Sequence, residues 1–248
     1  MGNFGGFMRV LDSRAWISVA LLVASTAVAL PDAPKAVAKA TAEKSVVQTK
    51  ESQSAMTPAK ALDALKEGNK RFRAGTSVQK NILAKAKATA GGQYPFAVIL
   101  SCMDSRVPAE AVFDQSIGDL FSIRVAGNVV NPDNLGSLEY AAKVIGVKLI
   151  VVLGHTSCGA VKGAIDNVKL GSLTELVAKI QPAVAASGSG TSKDHAYVDK
   201  VGEQNVRLAM KEIREKSPVL KELLDSGAVR MVGGMYDLET GAVTFFED

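Results

Sequence analysis

Cysteine and histidine are scarce in this 248-residue chain: Cys102 and Cys158, His155 and His195. Two cysteines exclude a disulfide-dense miniprotein. Any metal or nucleophile chemistry must draw on those four residues, or else on carboxylates and hydroxyls. The sole tryptophan, Trp16, lies near the N-terminus. Eight prolines exclude a collagen-like repeat, and 47% hydrophobic against 22% charged residues excludes wholesale disorder. A net charge of +4, spread diffusely, gives no reason to expect nucleic acid as a partner.

Long hydrophobic runs are also lacking. The longest, Ala15–Leu30, has sixteen residues, short of the roughly 20 that a membrane span needs. Arg9 and Arg14 precede it and Ala27-Val28-Ala29 closes it, the parts of a secretory signal. Residues 1–30 are therefore expected to be a signal peptide that places the protein in the periplasm or outside the cell. An uncleaved anchor, the only reading that brings a membrane contact, ranks second. Residues 31–56, rich in Ala, Lys, Thr and Ser, read as a flexible linker. One domain is expected over residues 57–248. It opens with Thr57 as a helix cap, Pro58 at the first helical position and a stripe of Leu62, Leu65, Asn69 and Phe72 that stops at Ala74-Gly75.

Three apolar runs, 95–102, 119–125 and 147–154, suit strands buried on both faces. Between them, 134–146 carries Leu135, Leu138, Ala142 and Ile145 at helical spacing. A loop at 187–192, a long helix over 194–215, a shorter one from Pro218 and a hairpin around 237–241 complete the pattern. Strands alternating with helices predict an α/β fold: a mostly parallel central sheet flanked by helices, with a C-terminal antiparallel edge hairpin.

In such sheets the functional crevice lies outside the carboxyl ends of the strands. Ser101–Arg106 ends the first buried strand and Gly154–Gly159 ends the third. Cys102, His155 and Cys158 make a Cys₂His set that zinc accepts. The same residues admit a disulfide, or a cysteine nucleophile with a histidine base. Three such groups at two strand ends favour the metal. Asp104 and Arg106, two residues apart, leave one face of an extended segment and can form a bidentate pair. Beside zinc, such an Asp either ligates the metal or orients a water on it.

Cys102-x-Asp104-x-Arg106 followed by His155-x-x-Cys158-Gly159 resembles the signature of the β-class carbonic anhydrases. Residues 62–72, 118–128, 138–142 and 232–237 resemble stretches of that family too, so the likeness runs from about residue 57 to the C-terminus. The resemblance implies one Zn²⁺ per subunit on Cys102, His155 and Cys158, with Asp104 and Arg106 as the catalytic dyad. It implies reversible hydration of CO₂ to bicarbonate and a proton by attack of zinc-bound hydroxide. Family members regulated by a second bicarbonate site carry tryptophan three residues before the first cysteine. Here Ile99 stands there, which favours a water-ligated site.

The resemblance further implies a substrate pocket of Gln93, Gly159, Phe121 and Tyr140, with Ala126 beside them, at the interface of a homodimer or larger homo-oligomer. His195, at an expected helix start, is left out of the site. Rival readings are a related zinc hydrolase of carbonyl sulfide or carbon disulfide, a non-catalytic zinc-binding module and a cysteine–histidine hydrolase.

Overall fold

The apolar runs that contain residues 97–101 and 149–155 become strands buried on both faces. The strand over 120–124 instead lies at the sheet edge and alternates, with Ser122 and Arg124 exposed, so the expectation of burial on both faces fails for that run. The computed structural model describes residues 47–78 and 80–247. The expected leader, and the expected linker as far as residue 46, lie outside the described residues. In chain order the elements are α1 (Lys50–Ser54), α2 (Pro58–Arg73), α3 (Ile82–Ala88), β1 (Ala97–Ser101), α4 (Ala109–Val112) and β2 (Leu120–Arg124). Then come α5 (Pro132–Glu139), β3 (Leu149–His155), α6 (Gly159–Ile165), α7 (Leu173–Ala178) and α8 (Gln181–Ala186). The chain finishes with α9 (His195–Lys216), α10 (Pro218–Asp225), β4 (Arg230–Tyr236) and β5 (Val243–Phe246).

The strands form one sheet in the order β2-β1-β3-β4-β5. The first four are parallel, and β5 returns antiparallel to β4 at the edge. Alternate residues serve opposite layers. Ala97, Ile99, Leu149 and Val151 meet α2 and α4 through Leu62, Leu65 and Val112. Val98, Leu100, Ile150 and Val152 meet α5, α9 and α10 through Leu138, Met210, Ile213 and Leu220. A third apolar cluster, built from α6 to α9, adjoins Cys102 and Cys158. Among the described residues no helix is long and apolar enough to cross a membrane.

The cap at Thr57 forms as expected, its side chain accepting from the Lys60 N–H at 3.2 Å. Asn69 sits in the apolar stripe of α2 because it stitches three segments together. Its Nδ2 donates to the carbonyls of Val112 (3.0 Å) and Gly241 (2.8 Å), and its Oδ1 accepts the Val243 N–H at 3.0 Å.

Two further expectations need correction. The linker does not run to residue 56: α1 forms inside it, with Thr49 and Ser52 capping reciprocally. The buried side chain of Gln53 then donates to the Pro95 carbonyl at 2.7 Å. The helix expected over 134–146 begins earlier, because Asn131 caps the Asn134 N–H and Pro132 occupies the first turn. Its last part, Tyr140–Ile145, widens into a π turn closed by hydrogen bonds from Gly146 and Val147 to the Ala141 carbonyl.

Candidate metal centre

Ser101 pairs with Leu153 across β1 and β3. The segments that follow, Cys102 onward and His155 to Cys158, therefore leave neighbouring strands at the same end of the sheet. Cys102, His155 and Cys158 are all buried there, with their donor atoms within 4.8 Å of one another. The two sulfurs are 3.9 Å apart. Two thiolates on a tetrahedral zinc, with bonds of ~2.3 Å, stand about 3.8 Å apart. Both cysteines are free, so the disulfide reading does not describe this structure.

His155 supplies the sharpest test of fit. Its Nδ1 lies 2.9 Å from the Thr156 carbonyl, the position of an N–H donor. That leaves Nε2 as the acceptor, buried and without a hydrogen-bond partner. A buried unpaired acceptor is costly unless something else takes its lone pair. A histidine held by one ring nitrogen and aimed by the other is how proteins present imidazole to a metal. The donor set fits zinc.

The thiols are set unequally. The hydrogen bond from Cys158 holds the Cys102 thiol down, to about 4, with His155 and the Gly127 N–H adding to the effect. The same contact, with burial, pushes Cys158 up. Gly127 donates its N–H to Cys102 Sγ at 3.3 Å from a short 3₁₀ turn, Ala126–Asn128.

Asp104 follows within the same loop. Arg106 Nε donates to its Oδ1 at 2.9 Å and Nη2 to its Oδ2 at 2.7 Å, while the Arg106 backbone N–H reaches Oδ1 at 2.9 Å. These bonds from Arg106 hold the carboxyl well below the usual carboxylate range. Its Oδ2 lies 3.9 Å from His155 Nε2. Arg124, at the end of β2, donates to the carbonyls of Cys102 and Asp104 and so fixes the loop from the far side.

A family model described as carbonic anhydrase matches residues 97–243. Carbonic anhydrase 2 of Mycobacterium tuberculosis is 40% identical over 190 residues, covering 74% of this chain and 90% of that protein. The carbonic anhydrase of Mycolicibacterium smegmatis is 38% identical over 193 residues, covering 75% and 92%. Among solved structures, the β-carbonic anhydrase CafA of Aspergillus fumigatus shares the fold with a TM-score of 0.61 at 27% identity, over 75% of this chain and 90% of that one.

The chain belongs to the β-class carbonic anhydrases. A single chain of this carbonic anhydrase brings together Cys102, Asp104, Arg106, His155, Cys158 and Gly159, the last as the first residue of α6. Gln93 is exposed in the loop before β1. Phe121 and Tyr140 lie with ring centroids 6.5 Å apart and line a cavity of about 670 Å³ with Val98, Ile123 and Pro132. None of the three metal-ligand candidates lines that cavity.

His195 is exposed at the start of α9, as the sequence indicated, yet its Nδ1 lies 3.1 Å from Ser157 Oγ. Sequence reasoning also missed Gly127, Arg124, Asp199 and Asn205. Asp199 Oδ1 accepts the Ser157 N–H at 2.7 Å, and Asn205 Nδ2 donates to the Gly127 carbonyl at 2.8 Å. Nothing in the pattern of α9 marks these two as facing the site.

Proposed function

We propose that this carbonic anhydrase holds one Zn²⁺ per chain through Cys102, His155 and Cys158 and hydrates CO₂ reversibly to bicarbonate and a proton. The observation that carries the reading is the buried, unpartnered Nε2 of His155, gathered with two sulfurs beside an ionised carboxylate. Zinc, when bound, lowers the pKa of a water on it to about 7 and so supplies a nucleophile near neutral pH.

The chain's own residues do the rest. Asp104 stays ionised, so it accepts hydrogen bonds and donates none. Arg106 occupies both of its oxygens and fixes the plane in which it accepts one more. Held in that plane, Asp104 orients the nucleophile toward the CO₂ carbon. We assign the Gly159 backbone N–H, in the first turn of α6, to a bicarbonate oxygen.

Phe121 and Tyr140 line a cavity that Cys102, His155 and Cys158 do not, and Gln93 is exposed before β1. We assign them to the substrate pocket of a second copy, across a homodimer. Tyr140 is 52% exposed and Val144 67% exposed on the segment that would meet it, large apolar groups that a partner would cover. The N-terminal run supports export, and a reporter fused after residue 60 that stayed in the cytoplasm would refute that part.

The test is CO₂ hydration followed by stopped flow for the wild type and Asp104→Ala, with zinc measured on both. The reading expects zinc in both proteins and activity lost in the variant. An Asp104→Ala variant with wild-type turnover would remove Asp104 from the mechanism.

A further inference from the structure

Two hydrogen bonds from one helix reach the turn that contacts Cys102 and the segment that bears His155 and Cys158. The buried Asn205 side chain of α9 donates to the Gly127 carbonyl, and the Gly127 N–H in turn donates to Cys102 Sγ. Six residues earlier on the same helix, Asp199 accepts the N–H of Ser157, which lies between His155 and Cys158.

Both segments pass through left-handed backbone. Gly127 has φ 67°, and a Cβ there would stand 2.6 Å from Ile180 Cδ1. Ser157 has φ 55°, a left-handed conformation that residues with side chains rarely adopt. Asn205 lies in the middle of a 22-residue amphipathic helix, on its buried side. An apolar residue would pack there without a polar group to satisfy. Its amide instead serves the turn that points an N–H at the Cys102 sulfur.

We propose that Asn205 and Asp199 are positioning residues of the metal centre, acting from α9 on Cys102 and on the His155–Cys158 turn respectively. Asn205 sets the Gly127 N–H against the sulfur, where it draws charge from the thiolate. Asp199 keeps Ser157 in its left-handed conformation, so that the donors on either side of it converge. The proposal rests on the zinc reading above.

Exchanging the two amide and carboxyl groups tests it with almost no change in volume. Asn205→Asp turns the donor facing the Gly127 carbonyl into an acceptor. Asp199→Asn keeps an acceptor for the Ser157 N–H, whereas Asp199→Ala removes it. Zinc affinity is measured by competition with a chromophoric chelator. The thiolate-to-metal charge-transfer band is recorded after loading with Co²⁺, and folding is checked by circular dichroism.

Asn205→Asp and Asp199→Ala should bind zinc roughly 10–100-fold more weakly, the usual cost of losing an outer-shell partner. Asn205→Asp should also shift the Co²⁺ band, and Asp199→Asn should match the wild type. Should Asn205→Asp fail to fold, Asn205→Ala gives the same two readouts. Asn205 variants with wild-type affinity and an unmoved band would overturn the proposal, as would an Asp199→Asn variant as weak as Asp199→Ala. In either of those cases a zinc-binding wild type leaves the zinc reading standing. A wild type that takes up neither metal overturns both.

Discussion

Asp104 Oδ2 stands 3.9 Å from His155 Nε2, and both oxygens of that carboxylate are already taken by Arg106. The arrangement places a fixed acceptor at the edge of a three-donor cluster. A guanidinium can grip both oxygens at once, and an ammonium cannot.

Arg106→Lys should therefore keep zinc and lose turnover, by about 10–100-fold on the scale of a misplaced catalytic group. Zinc content and kcat measured on the same preparation check this. Unchanged kcat would mean that the bidentate grip has no part in the reaction.

Asn69 predicts a stability effect far from the chemistry. Asn69→Leu keeps the volume but strips partners from the Val112 and Gly241 carbonyls and from the Val243 N–H. A loss of roughly 2–4 kcal/mol is expected from orphaned buried polar groups. Urea unfolding of the two proteins at one pH measures it.

Asp114 sets a pH dependence. Burial alone would push its carboxyl up, but hydrogen bonds from Lys80 and Arg71 outweigh burial and the net direction is down. A depressed native value means the stabilisation is present above the unfolded carboxyl value of about 3.9. It is lost as pH falls through the lower native value. Asp114→Asn should thus cost roughly 2 kcal/mol at pH 7, the scale of a hydrogen bond to a charged group, and progressively less in acid. A gap between the two proteins that widened below pH 4 would contradict the sign.

Tyr140 tests the proposed assembly. Tyr140→Arg places a charge on the exposed segment that carries Val144 and should shift sedimentation toward the monomer. Turnover should fall with it, because the pocket would lose its second chain. Full assembly of the variant would place the interface elsewhere.

The centre was legible in sequence where the chain's chemistry is written in contiguous motifs. Apolar runs ending at Cys102 and at Gly154 mark parallel strands, and parallel strands deliver their C-terminal ends to one edge. Gly127, Asp199 and Asn205 could not be read that way. A glycine in a loop and two polar residues in a helix of mixed pattern look alike whether they face solvent or a sulfur. Only the approach of α9 to β3 decides which. The short helices α6 to α8 escaped for another reason: six or seven residues each are too few to display a helical period. The exposure of Gln93 and the separate cavity beneath Phe121 and Tyr140 have no local signature at all.

The most direct measurement is stopped-flow CO₂ hydration by the wild-type protein with its zinc content determined on the same sample. One zinc per chain with rapid hydration, lost on chelation and restored by zinc, is the predicted result. Full zinc occupancy without hydration, or hydration that survives removal of the metal, would contradict the account.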